Sequence, residues 1–294
     1  MLARRLVAAA WLAAAWFAAG VHCAAAAPWG ADYFPNVPLV TQDGKTVRFY
    51  DDLLKDKKVL VNFVFTSCSA ACPLDTAKLV QVHQLLGERA GRDIHLYSIT
   101  LDPDNDRPED LKAYAGKYGA KWTFLTGKRE DVDVVRSRLG DRGAKEDHAN
   151  SLRVGHVARG QWIRLPLAAD ARYMVSEIIN TFDPGWSQGK TLPSIADAPR
   201  PEVFGPGQLI FSNRCAPCHG FGQGERLGPD LRGVAGRRDR AWLARYLAAP
   251  DRMRQSGDPV ALALARKYPV AMPNLSLTRK EIEDLLPYIE ARSR

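Results

Sequence analysis

The pentapeptide CAPCH, residues 215–219, dictates how the last third of this chain must fold. Two thiols three residues apart can each bond a haem vinyl group, while the histidine that follows takes one face of the iron. Cys215 and Cys218 are the expected covalent attachment points of haem c, and His219 the expected axial ligand. A zinc site would need a further cysteine or histidine cluster downstream, and the sequence supplies none. The second axial ligand must come from later in the chain, where the candidates are Met253 in DRMRQSGD and Met272 in YPVAMPNLSLT. A His/Met pair raises the haem potential and leaves no open coordination position, which suits electron transfer.

The surroundings of the motif read as helical. GQLIFSNRCAPCHG opens one helix, DRAWLARYLAAP forms a second that ends at proline, and TRKEIEDLLPYIEAR forms a third with a Thr278/Glu281 capping box. With GPDLRGVAGR, Trp242 and MPNLSLTRKEIEDLLPYI, the whole region resembles a class I cytochrome c. The resemblance implies that Met272 is the distal ligand and that Tyr288 packs against Gly207 and Phe211.

The first part alternates strands with helices. KVLVNFVFT (58–66) is an apolar run suited to a buried central strand, and it leads into TSCSAACPLD. Helical spacing follows over 73–88, a strand over 94–101, a helix over 107–119 and a short strand over 122–126. A helix over 129–140, a hairpin of 151–157 with 161–165, and a helix over 168–182 complete this half. That order predicts a three-layer α/β sandwich. A strand running into a cysteine pair at a helix start is the layout of thioredoxin-like folds. The fold expected for the chain is thus an α/β thioredoxin-like domain followed by a small all-α cytochrome c domain.

Cys68 and Cys72 are four residues apart, so a helix would carry both on one side. A helix N-terminus lowers a thiol pKa and favours thiolate. Two thiolates make a soft-metal site for Cu(I), and an added imidazole admits Cu(II). Disulfide exchangers more often place two residues between their cysteines. They also keep a proline ahead of the hairpin, whereas here no proline occurs between Pro108 and Pro166. A third ligand would be a histidine. His83 follows the helical face of 73–88 and reads as surface or core, His95 has no evident partner, and local reasoning leaves His148 and His156 undecided. FVFTSCSAACPLDTAKL, ITLDPDNDRPEDLKAYAGKYGAKWTFLTG and DHAN together resemble the Sco/SenC family of copper-binding, thioredoxin-like proteins over about residues 35–183. That resemblance implies copper held by Cys68, Cys72 and His148, and it leaves His156 as a surface residue.

The N-terminus stands apart. MLARR is basic, and residues 6–27 carry no charge, as in an export signal or an uncleaved membrane anchor. Cys23 lies in that segment and carries no functional weight. A proline- and glycine-rich stretch between Phe182 and Gly207 has linker composition. The expected division is 1–27 signal or anchor, 28–185 copper-binding domain, 186–202 linker and 203–294 cytochrome c domain. The formal charge of +8 is uneven: residues 28–199 balance, whereas 200–294 carry 16 basic against 10 acidic side chains. In an exported chain this basic third points to an acidic redox partner or a membrane surface rather than to nucleic acid.

The resemblance implies a periplasmic copper metallochaperone, soluble or anchored, and an electron-transfer protein rather than a turnover enzyme. Its implied partner is the copper-bearing subunit of cytochrome c oxidase, where the copper A centre is assembled. The competing expectations are a haem-linked thiol–disulfide oxidoreductase and a haem c electron carrier with a docking domain.

Overall fold

The computed structural model describes residues 30–68, 71–144, 150–184 and 205–294. The expected signal or anchor and the expected linker, 186–202, lie outside the described residues. Among the described residues no helix is long and apolar enough to cross a membrane.

The first half is built on one seven-stranded sheet in the order β2-β1-β5-β4-β3-β6-β7. Its strands are β1 Pro38–Thr41, β2 Thr46–Arg48, β3 Lys58–Val64, β4 Ile94–Thr100, β5 Thr123–Thr126, β6 Ser151–His156 and β7 Gln161–Pro166. β3, β4 and β5 run parallel, while β6 is antiparallel to β3 and β1 is antiparallel to β5. The run VLVNFV in β3 is buried on both faces, as a central strand between two helical layers must be. Four helices cover the sheet: α1 Ala71–Leu86, α2 Pro108–Tyr118, α3 Arg129–Arg138 and α4 Ala171–Phe182. α1 packs on α4 and on α2, α2 on β5, and α3 on β1. The thioredoxin-like expectation holds, with an added β1–β2 hairpin at one edge.

The second half is all-helical among its described residues. α5 Pro206–Ile210 runs on as wider turns through Cys215. α6 Arg240–Ala248, α7 Pro250–Gln255, α8 Pro259–Lys267 and α9 Arg279–Arg292 follow. The capping box on α9 forms as expected, with the Glu281 N–H donating to Thr278 Oγ1 and the Thr278 N–H to Glu281. α9 crosses α5 at Gly207, where a Cβ would run into the Asp284 carbonyl. Glycine is therefore needed for this close approach. Phe211 and Tyr288 meet there with ring centroids 5.5 Å apart, the contact the resemblance implies. α7 and α8 were not expected. Both begin with proline in the first turn, and Asp258 caps α8 by accepting from the Val260 and Ala261 amides.

Candidate metal and haem centres

β3 delivers Cys68 to the end of the sheet where β4 also finishes, because the two strands are parallel and in register. Asp106, in the loop after β4, fixes this exit. It accepts from the Thr66 N–H at 3.1 Å and from the hydroxyls of Thr66 and Thr100, and it is almost wholly buried. Cys68 is half-buried and Cys72, in the first turn of α1, is 2% exposed. The Cys72 N–H donates to Cys68 Sγ at 3.4 Å. The Tyr114 hydroxyl donates to the Cys72 carbonyl at 3.3 Å and lies 2.9 Å from Thr76 Oγ1.

The charges here correct one expectation. The Cys72 thiol is pushed up, first by its hydrogen bond to Cys68, then by burial and by the charge on Cys68. The helix N-terminus does not outweigh these effects. The pair is asymmetric: a buried Cys72 keeps its proton beside a more accessible Cys68. One turn on, burial raises the Asp75 carboxyl to about 7, against the lowering charge of Lys78. Lys78 is itself buried, and its ammonium donates to the Leu167 carbonyl at 2.7 Å.

Asp75 gives a prediction with a definite sign. From its ordinary 3.8 up to about 7, the folded protein holds a proton that the unfolded chain has released. Stability of the metal-free protein is therefore expected to fall as pH rises through that window, at up to about 1.4 kcal/mol per pH unit. Asp75→Asn should flatten the slope in denaturant titrations, and an unchanged slope would show that Asp75 is ionised throughout.

The sheet register separates the histidines. His156 pairs with Lys58 and His95 with Val59, both at the start of β3, the end opposite the cysteines. Neither can join Cys68 and Cys72. His156 is not a plain surface residue either, since it is half-buried with its Nδ1 enclosed and unpartnered. His83 stands against Trp122 at 5.8 Å between centroids. His148 lies outside the described residues, but Ser151, which follows it, starts β6 at the cysteine end of the sheet. Among the described residues no group of three His, Cys, Asp or Glu side chains is arranged to hold a metal.

In the second half Cys215, Cys218, His219 and Met272 line one crevice, together with Tyr246 and Leu264. Burial pushes both thiols up to about 12, so they sit there neutral, unlike a thiolate metal cage. Burial also lowers the His219 pKa, and its Nδ1 lies 2.9 Å from the Pro229 carbonyl. The neutral ring donates that proton and keeps Nε2 as a free ligand nitrogen. A Cβ at Gly228 would lie 2.5 Å from His219 Cε1, so the ring has no room for a larger neighbour. Met253 packs on the same helical core but does not line the crevice. The donor set and its burial fit a haem c: Cys215 and Cys218 would bond it, and His219 and Met272 would supply nitrogen and thioether ligands to its iron.

Sequence reasoning missed Asp106 and Tyr114. The first is one of three aspartates in DPDND and carries no local mark. Asp102, the first of the three, accepts from Asn105 at 3.0 Å within that loop and faces Arg129.

The SCO1/SenC family model matches residues 30–159, and the cytochrome c family model matches residues 205–293. Over 89 residues the chain is 37% identical to the SCO1 protein homolog of Bacillus subtilis, covering 29% of this chain and 45% of that one. Over 101 residues it is 33% identical to a SCO2-like protein of Rickettsia conorii, covering 34% and 48%. The chain spans about half the length of these curated relatives. The solved structure of copper-bound ScoI from Bradyrhizobium japonicum is similar over 50% of this chain and 99% of its own, with 20% identity and a TM-score of 0.42. Sco1 from yeast with copper bound is similar over 56% and 99%, with 20% identity and a TM-score of 0.44. The chain therefore carries a stretch matched by the SCO1/SenC model, followed by one matched by the cytochrome c model.

Proposed function

We propose that the protein is an exported copper metallochaperone that serves the copper A centre of a cytochrome c oxidase, with its haem c exchanging electrons in the same compartment. The observation that carries this reading is the cysteine pair of the SCO1/SenC domain, with the Cys72 amide turned onto Cys68 Sγ at 3.4 Å. Cys68, Cys72 and His148 hold the copper. Cys215 and Cys218 bond the haem, and His219 and Met272 ligate its iron. Bound copper supplies a one-electron couple, and the haem supplies another of raised potential. One electron leaving Cu(I) reduces one ferric haem, so the exchange balances. Oxidation of the dithiol to a disulfide releases two electrons and two protons and needs two such acceptors. Dithiol couples lie at about −120 to −270 mV, so the haem accepts from the thiols rather than reducing their disulfide.

Arg232, Arg238 and Arg294 line a hollow on the cytochrome c domain, where Arg240 is paired with Glu290, and this basic excess supports docking of an acidic redox partner. Copper titration under reducing conditions tests the main reading. One equivalent should bind tightly to the full chain, and His148→Ala should weaken it about 10- to 100-fold. Unchanged affinity in that variant removes His148 from the site. The second reading, a haem-linked thiol–disulfide oxidoreductase, is favoured by the asymmetry of an accessible Cys68 and a buried, protonated Cys72. It requires rapid disulfide exchange with little copper affinity.

A further inference from the structure

The haem crevice is not built from its own domain alone. Pro73 and Leu74, in the first turn of α1, line it beside Cys215, Cys218 and Met272. Cys218, Leu227 and Val270 pack in return against the buried core of the SCO1/SenC half. Two turns further along α1, the Gln81 Nε2 donates to the carbonyl of Ala216, between the two haem-motif cysteines, at 3.2 Å.

We propose that Pro73 and Leu74 are a wall of the haem pocket, held in place by the Gln81–Ala216 hydrogen bond, and that they help to set the haem potential. Pro73 is joined directly to Cys72, so a single peptide bond separates the cysteine pair from the haem environment. The physical basis is solvation. Ferric haem carries one more positive charge than ferrous haem and is favoured by nearby water and polar groups. Pro73 and Leu74 present hydrocarbon to the crevice and exclude water, which favours the ferrous form. The two residues are positioning residues and touch no reacting atom of the copper site.

The inference rests on haem c in the crevice but not on copper at Cys68 and Cys72. The test uses the full-length holoprotein, with the haem midpoint potential read by spectroelectrochemistry and copper uptake titrated on the same samples. Leu74→Asn is expected to lower the potential, while Leu74→Met, similar in volume and apolar, keeps it at the wild-type value. Gln81→Glu sets a carboxylate against the Ala216 carbonyl. It should lower the potential in the same direction and decides the matter if Leu74→Asn fails to fold. Wild-type potentials in both Leu74→Asn and Gln81→Glu would overturn the proposal. Absent copper binding in the wild type would instead remove the copper reading, leaving the comparison of potentials intact.

Discussion

Met272→Ala is expected to open one face of the haem iron and lower its potential by a sizeable part of the roughly 0.8 V that axial ligands span. Met272 lines the crevice with His219, while Met253 packs on the helical core outside it. With Met272 as the proposed ligand, losing the thioether would remove the group that raises the potential and would admit water or an added ligand such as cyanide. The measurement is a redox titration together with the optical spectrum of the oxidised protein. Met253→Ala is the control and should keep both near wild type, apart from a modest loss of stability. The opposite result, with Met253→Ala changing the iron ligation and Met272→Ala not, would exchange their roles. Arg254, whose guanidinium donates to the Met272 carbonyl at 3.0 Å, ties the Met272 loop to α7.

The second large effect concerns the cysteine pair. Cys68→Ser should weaken copper binding by more than about 100-fold, beyond what loss of an outer supporting partner costs. A soft thiolate would be replaced by a hard hydroxyl in a site that has only two sulfurs. Cys72→Ser should do the same to copper. It also removes the proton that Cys72 retains in the free protein, so copper binding by the wild type should release protons and tighten as pH rises. Competition with a chromophoric Cu(I) chelator at two pH values measures both. Equal copper affinity in wild type and Cys68→Ser would sink the metal reading and favour a disulfide function.

Much of the architecture is written locally. The continuous apolar run of β3 announces a strand buried on both faces, and the proline and cysteines after it announce the turn into α1. The packing of Gly207, Phe211 and Tyr288 was expected from the resemblance to class I cytochromes c, not from any local pattern. The β1–β2 hairpin was missed although Asp43–Gly44 is a turn signal, with Gly44 at a φ of 78°. Its strands of four and three residues are too short to show a period. α7 and α8 were hidden for a related reason: two proline-started helices of six and nine residues look like loop.

The site was less legible than the fold. Cys68 and Cys72 do meet, but with Cys68 ahead of the helix and not on one side of it, and burial with the thiol–thiol hydrogen bond reverses the expected shift at Cys72. His156 was separable from the cysteines only by register, which pairs it with Lys58. The contacts of Pro73, Leu74 and Gln81 join segments more than a hundred residues apart, and no local pattern encodes them.

The strand order also has a consequence in time. β3 lies between β4, which follows it after one helix, and β6, whose Arg153 pairs with Val61 some ninety residues later. Distant pairings of this kind must close a long loop before they repay it, and they form late. As the chain emerges N-terminus first, Cys68 and Cys72 are present well before the strand that completes their half of the sheet. Until β6 docks, two reactive thiols stand unguarded in a chain that will soon present two more, at Cys215 and Cys218. Prompt haem attachment at the second pair would remove those partners from the pool of thiols able to cross-link with the first.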